Sequence, residues 1–282
     1  MVVWDPPIRD YQFLYHELLP IIETVQRLGY SDFDADFLDS LMEGWATHCE
    51  EVWLPINMLG DREGLKFEDG KITMPPEFKD AYRQGIDEGW LSTACEPEHG
   101  GMGVPLFFQA VTWAEFGTSA CMALSVLPAL SIGVYEILVK HGRQDLIDYF
   151  ATNLASGEWS GTMCLTEPHA GTDLGIIETK AIPQDDGTYR ISGPKCFITY
   201  GEHDMVDNIV HLVLAKAPGG PEGTRGISLF LVPKFLPQDW ESGGLEDTSH
   251  ALTSEYNGVT CSGTEEKMGL HASPTCVMNF DD

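Results

Sequence analysis

The spacing of apolar residues changes once along this chain, near Gly157, and that change limits what the chain can fold into. Before it, Tyr11, Leu14, Tyr15, Leu18, Ile22 and Val25 recur at steps of three and four, with Gly29 placed to end a helix. Phe37, Leu38, Leu41, Trp45, His48 and Val52 repeat the pattern after Ser31-Asp32, and Pro75-Pro76 opens a segment with Phe78, Tyr82 and Ile86 on one face. The glycine-rich run from Pro97 to Pro105 interrupts this texture. Leu106 to Phe116 resumes it, and helical spacing continues to Leu154. After Gly157 the apolar runs are short and β-branched. Asp186-Gly187 lies between Thr179–Ile182 and Thr188–Ile191, the chemistry of a hairpin turn. Asn208 to Ala215 and Gly226 to Val232 have strand length, while 237–264 is polar and weakly patterned, as in an insertion or long loop. The pattern predicts an α+β chain: an all-α helical domain over 1–158, then an antiparallel β-barrel-like domain over 159–282.

One stretch inside the helical half could suggest a membrane. Phe116 to Tyr135 carries no charge over 20 residues, the length of a spanning helix. Its Gly117, Thr118, Ser119, Ser125, Pro128, Ser131 and Gly133 make it too polar and broken for a lipid-facing segment, so a buried bundle helix is expected, with no membrane span. The net charge is −28, from 44 acidic and 16 basic residues. Such a surface repels phosphate backbones and anionic lipid and argues against nucleic-acid binding. Seven cysteines without a CxxC pair, and no basic segment leading an apolar run at the start, predict buried, reduced thiols and a cytoplasmic setting, with no metal site.

The most informative segment follows the change of texture: Cys164-Leu-Thr-Glu-Pro-His-Ala-Gly-Thr-Asp173. By itself it reads as a polar turn and nothing more. It stands, however, in a fixed order with Pro97-Glu-His-Gly-Gly-Met-Gly103 before it. After it come Gly193-Pro-Lys-Cys-Phe-Ile-Thr-Tyr-Gly201 and Glu265-Glu-Lys-Met-Gly-Leu-His-Ala-Ser-Pro-Thr275. Together these resemble the flavin-dependent acyl-CoA dehydrogenase family. Thr166 to Asp173 meets every fixed position of the family's Thr/Ser-Glu-Pro-x-Ala-Gly-Ser/Thr-Asp pattern, Phe197-Ile198-Thr199 its aromatic-Ile-Thr strand, and Lys267 to Thr275 its Lys-Met-Gly…Ser-x-Thr run. The resemblance covers nearly the whole chain. The Tyr11 region, the Phe67–Pro76 segment and the insertion before Cys261 look most like the larger bacterial members, a branch that includes the methylmercaptopropionyl-CoA dehydrogenases.

The resemblance implies an oxidoreductase that binds FAD and an acyl-CoA thioester, dehydrogenates the Cα–Cβ bond with hydride going to flavin N5, and passes electrons to an electron-transfer flavoprotein. It assigns Thr166 to the flavin edge that becomes anionic, where a donor acts as in an oxyanion hole. Thr199 falls near N5, Phe197 against the ring in place of the Trp of many relatives, and Met163 and Leu165 along it. Gly171 and Thr172 fall where backbone approaches the cofactor, and Thr172 also meets the substrate's pantetheine arm. His169, at a variable position of the turn, and His271 read as packing or surface residues. Glu167, followed by Pro168, reads as tied to backbone N–H groups rather than as a base. Cys164 and Cys196 read as small buried hydrophobes.

Family members continue into a C-terminal helical domain that carries the catalytic glutamate, part of the adenine site and most oligomer contacts. The resemblance therefore places the base beyond Asp282 and implies a fragment that is inactive alone and homo-oligomeric when full-length. Two alternatives stay open on the same scaffold: an acyl-CoA oxidase, and a non-catalytic binding relative.

Overall fold

A computed structural model describes residues 4–237 and 252–281. The helical half begins with α1 (Ile8–Gln12), which widens through Phe13–Leu18, and α2 (Ile21–Arg27). The sequence pattern predicts one continuous helix here, and the structure breaks it. Pro20 has no N–H to give and forces Leu19 into an extended conformation, φ −114°, ψ 136°. Gly29, at φ +108°, follows α2 as expected. Asp34 caps α3 (Ala35–His48) by accepting from the Phe37 N–H at 2.8 Å. The chain then winds through Cys49–Trp53 into α4 (Leu54–Glu63). A small hairpin, β1 (Lys66–Glu68) and β2 (Lys71–Thr73), precedes α5 (Pro76–Asp87), which starts at the expected proline.

The centre of this half is a group of tryptophans. Trp45 stacks on Trp113 at 4.8 Å between ring centroids, and Trp53 meets Trp45 edge-on at 4.9 Å. Against this core runs α6 (Ala114–His141), followed by α7 (Gln144–Ser156). Helix α6 is bent at Cys121, whose backbone leaves the helical region at φ −152°, ψ 88°. Among the described residues one helical stretch, Phe108–His141, is long and apolar enough to cross a membrane. It packs against α7 and the sheet, with Phe116, Leu124 and Leu127 fully buried, as a core helix does.

Gly157, at φ +85°, ends α7 in the left-handed conformation that glycine adopts without strain. Strand β3 (Trp159–Cys164) begins two residues later. Next come β4 (Lys180–Pro183), β5 (Tyr189–Thr199), β6 (Asn208–Lys216), β7 (Ile227–Pro233), β8 (Phe235–Pro237), β9 (Leu252–Tyr256), β10 (Val259–Thr264) and β11 (Thr275–Asp281). Among the described residues seven strands form one curled sheet, ordered β10–β11–β5–β4–β6–β3 with β7 also on β6. The hairpin at Asp186-Gly187 joins β4 to β5 as predicted. Most ladders are antiparallel; β3 runs parallel to β6, and β4 meets β6 in parallel at Lys180 and Lys216. The polar 237–264 stretch differs from the expected loop, since 237 ends β8 and 252–256 and 259–264 are strands; 238–251 lies outside the described residues. Its strands were hidden because β10 alternates buried Val259 and Cys261 with small polar residues. All seven cysteines are buried and unpaired, as expected.

The burial pattern of α6 generates a stability contrast. Leu124→Ala removes a fully buried side chain and should lower the unfolding free energy by about 3 kcal/mol. Met122→Ala, at a 46% exposed position two residues earlier, should change it by less than about 0.5 kcal/mol. Urea unfolding followed by tryptophan fluorescence measures both. Equal losses would show that α6 is not seated as described.

Candidate active site

The turn after β3 is built from its own backbone first. Glu167 and Ala170 exchange two backbone hydrogen bonds, Glu167 N to Ala170 O at 2.8 Å and Ala170 N to Glu167 O at 3.0 Å. The Asp173 side chain accepts from the Gly175 N–H at 3.0 Å and turns the chain towards β4. On the other side, Cys196 N donates to Thr166 O at 2.9 Å, so the turn is bonded to β5 just before Phe197.

What fixes the turn in the molecule is the Glu167 side chain, which is wholly buried. It accepts from four donors: Glu178 N at 2.7 Å, Thr179 N at 3.0 Å, Thr179 Oγ1 at 2.6 Å and Lys195 Nζ at 2.9 Å. Lys195 Nζ donates in addition to Leu165 O at 3.1 Å. Burial alone would raise the Glu167 pKa; the donors more than offset it and hold the carboxylate below its ordinary range. The strand must come close for this. A Cβ at Gly193 would lie 2.6 Å from Thr179 Oγ1, and Gly193 itself sits at φ +149°, so no other residue fits there. The reading of Glu167 as a structural carboxylate matches this geometry. Lys195 and Thr179 were not singled out from the sequence. The available signal was slight, a lysine directly before the apolar Cys196-Phe197-Ile198 in a mixed strand.

Around the fixed turn, Thr166 and Thr199 are half-buried, and among the described residues no protein group engages either hydroxyl. Elsewhere on the sheet, buried hydroxyls are taken up: Thr162 Oγ1 lies 2.7 Å from His211 Nδ1, and Ser160 Oγ lies 3.1 Å from His203 Nε2. Phe197 is unusual in two ways at once. Its ring is 60% exposed, and its backbone stands at φ +60°, a conformation costing a residue with a Cβ about 1–2 kcal/mol. Met163 and Leu165, on alternate positions leading into the turn, are respectively exposed and half-buried. A Cβ at Gly171 would stand 3.7 Å from the Thr166 methyl, an ordinary contact, so the chain itself does not demand glycine there. The missing side chain leaves space open above Thr166. Open hydroxyls, an exposed aromatic platform and an uncrowded glycine are what a flat polar-edged ring such as a flavin needs, so the residues present fit that group.

The structure brings Thr166 and Phe197 together across the Thr166–Cys196 bond, with Gly171 beside Thr166. Thr199 lies two residues further along β5, in register with Thr275. Thr172 is exposed on the outer side of the turn, with no protein partner among the described residues. His169 Nε2 lies 3.1 Å from Ile176 O, and His271 bridges Asp61 O and Lys267 O at 2.7 and 2.9 Å, so both histidines hold backbone.

Residues 65–158 match the acyl-CoA dehydrogenase N-terminal domain, and residues 162–282 match the acyl-CoA dehydrogenase middle domain. The chain is 42% identical over 283 aligned residues to the 3-methylmercaptopropionyl-CoA dehydrogenase of Ruegeria pomeroyi, covering 100% of this chain and 46% of that protein. It is 37% identical to a butyryl-CoA dehydrogenase of Syntrophomonas wolfei, covering 97% of this chain and 44% of the other. The chain thus spans less than half the length of these relatives. The structure of an acyl-CoA dehydrogenase complexed with FAD from Bacillus anthracis superposes with a TM-score of 0.67 at 23% identity, over 90% of this chain and 36% of that one.

The Glu167 network makes a pH-dependent claim. Glu167→Gln leaves Lys195 buried opposite a neutral group and should lower the unfolding free energy at pH 7 by about 3 kcal/mol. Adding Lys195→Met should recover part of that loss. The folded-state pKa lies below the unfolded value, so the carboxylate's contribution is full above about pH 4.3 and disappears as pH falls through the folded pKa. Urea unfolding from pH 7 to pH 3 should show the gap between wild type and Glu167→Gln closing at the acid end. A gap independent of pH would mean that the ionised form is not what the turn uses.

Proposed function

The chain belongs to the acyl-CoA dehydrogenase family, and from this we propose that the protein binds FAD against Thr166, Phe197 and Thr199 and dehydrogenates the Cα–Cβ bond of an acyl-CoA thioester. The observation that carries the reading is the pair of half-buried, unengaged hydroxyls flanking an exposed Phe197 held at positive φ. Bound FAD supplies the two-electron hydride acceptor, a chemistry that amino-acid side chains lack.

The chain's own residues do the rest by position and polarity. Thr166 sits on a turn that the Glu167 bonds hold rigid, and its hydroxyl donates where negative charge grows, so the bond is worth most at the transition state. Thr199 donates from the opposite strand. Phe197 forms the apolar wall that keeps water from the reacting edge, and Met163 and Leu165 extend it. The open space at Gly171 admits the thioester arm, with Thr172 facing it. Removal of the α-proton belongs to a different carboxylate, because Glu167 is locked in its ionised form by four donors.

The relatives' names, 3-methylmercaptopropionyl-CoA and butyryl-CoA dehydrogenase, support a short acyl group as substrate. We assign electron delivery to an electron-transfer flavoprotein, a homo-oligomeric state to the full-length protein and a cytoplasmic setting to its seven reduced thiols.

Stopped-flow bleaching of the flavin by a short acyl-CoA tests the reading in the FAD-loaded protein. Thr166→Val and Thr199→Val should each slow flavin reduction by roughly ten- to a hundredfold, the scale of losing one donor at a developing charge. His169→Ala should leave the rate nearly unchanged. Wild-type rates in both threonine variants, with the rate abolished in His169→Ala, would overturn the assignment.

A further inference from the structure

Tyr200, the residue after Thr199, is unlike its neighbours in several respects. It is wholly buried, yet its backbone stands at φ +52°, which a bulky residue adopts only when its surroundings enforce it. Its N–H donates to Pro274 O at 2.8 Å, in the loop that precedes β11. Its ring meets His203 edge-on at 5.3 Å. Its hydroxyl donates to Ala123 O at 2.6 Å, across a sequence separation of 77 residues. Ala123 lies two residues past the bend in α6 and beside Met122, which is 46% exposed. One residue therefore ties three pieces together: the end of β5, the loop before β11 through its backbone N–H, and the bend of the core helix through its hydroxyl.

Each of these contacts has a bland explanation as packing. Their combination does not, because burial of the ring alone would not require the strained backbone, and the same strain appears at Phe197 three residues earlier. Phe197 and Tyr200 bracket Thr199, so the short run from 197 to 200 is held in an unusual conformation at both ends. The hydroxyl of Tyr200 is the sole side-chain group of this run hydrogen-bonded to the helical half among the described residues.

We propose that Tyr200 is a positioning residue: through its hydroxyl bond to the bend of α6 it sets the placement of Phe197 and Thr199, and so tunes the reactivity of a flavin held against them. The inference rests on the functional reading above for its consequence in the reaction, but its structural part stands without it.

The test uses Tyr200→Phe, which keeps the ring that fills the core and removes only the hydroxyl. Hydrogen exchange on the chain, without cofactor, should show the amides of residues 197–201 exchanging about tenfold faster while those of the paired segment at 192–195 stay as in wild type. In the FAD-loaded protein the variant should shift the flavin absorption bands and slow acyl-CoA-dependent reduction by roughly tenfold, with the acyl-CoA dissociation constant little changed. Combining it with Thr199→Val should add nothing to the slowing by Thr199→Val alone, since residues acting through one another are not additive. Unchanged exchange at 197–201 overturns the structural part, and fully additive rate effects overturn the positioning role. Should wild-type flavin resist reduction by every acyl thioester tried, the functional reading fails instead, and the exchange and absorption results still decide the role of Tyr200.

Discussion

A single buried ion pair organises the candidate site. Glu167 and Lys195 are both removed from water, and two unmatched charges there would cost several kcal/mol each. The structure meets that demand with donors rather than with proximity alone: two backbone N–H groups, a hydroxyl and the ammonium converge on one carboxylate. The donors come from two places, Glu178–Thr179 just before β4 and Lys195 in β5, so satisfying the carboxylate forces those segments and the turn into one arrangement. The close strand at Gly193 and the second bond from Lys195 to Leu165 O follow from it. Thr166 and Leu165 hold their places because the residue next to them cannot move without exposing a charge to an apolar interior.

On that rigid base the neighbouring run of β5 carries backbone strain. Phe197 and Tyr200 stand at positive φ with Ile198 buried between Phe197 and Thr199. Twisting the strand this way turns the Phe197 ring outward while Ile198 and Tyr200 stay in the core. Local backbone costs of roughly 1–2 kcal/mol per residue are tolerable only because the two inward side chains are fully packed. Exposed aromatic surface and unengaged hydroxyls would be defects in a structural strand. They make sense together as a surface shaped for something else.

How much of this was legible in the sequence depended on how local the determining interaction is. The helix-to-strand change, the proline start of α5 and the Asp186-Gly187 hairpin are local, and each was readable from spacing and turn chemistry. The break at Pro20 was equally local and went unread, because the apolar spacing ran straight through it. The parallel pairing of β3 with β6 joins residues about fifty positions apart, and no periodicity encodes it. Strands β9 and β10 hid behind polar residues whose partners are distant. In the site, the role of Glu167 could be argued from the proline that follows it, whereas Lys195, Thr179 and Tyr200 owe their roles to contacts across 12 to 77 residues. A lysine within a mixed strand or a tyrosine just after it reads as ordinary in the sequence. What each is for becomes visible only when its partner is in view.

The chemistry itself explains why the conspicuous carboxylate of this half cannot be its base. A general base must accept a proton readily, so its pKa has to sit near the working pH, and its oxygens have to reach the substrate. Glu167 satisfies neither condition: four donors depress its affinity for protons, and every one of them would have to be given up for it to turn outward. Anchoring and proton transfer place opposite requirements on the same functional group. A carboxylate locked as an anchor leaves proton transfer to groups outside its network. The turn described here is therefore an anchor, and the interaction that makes it rigid also keeps Glu167 out of proton transfer.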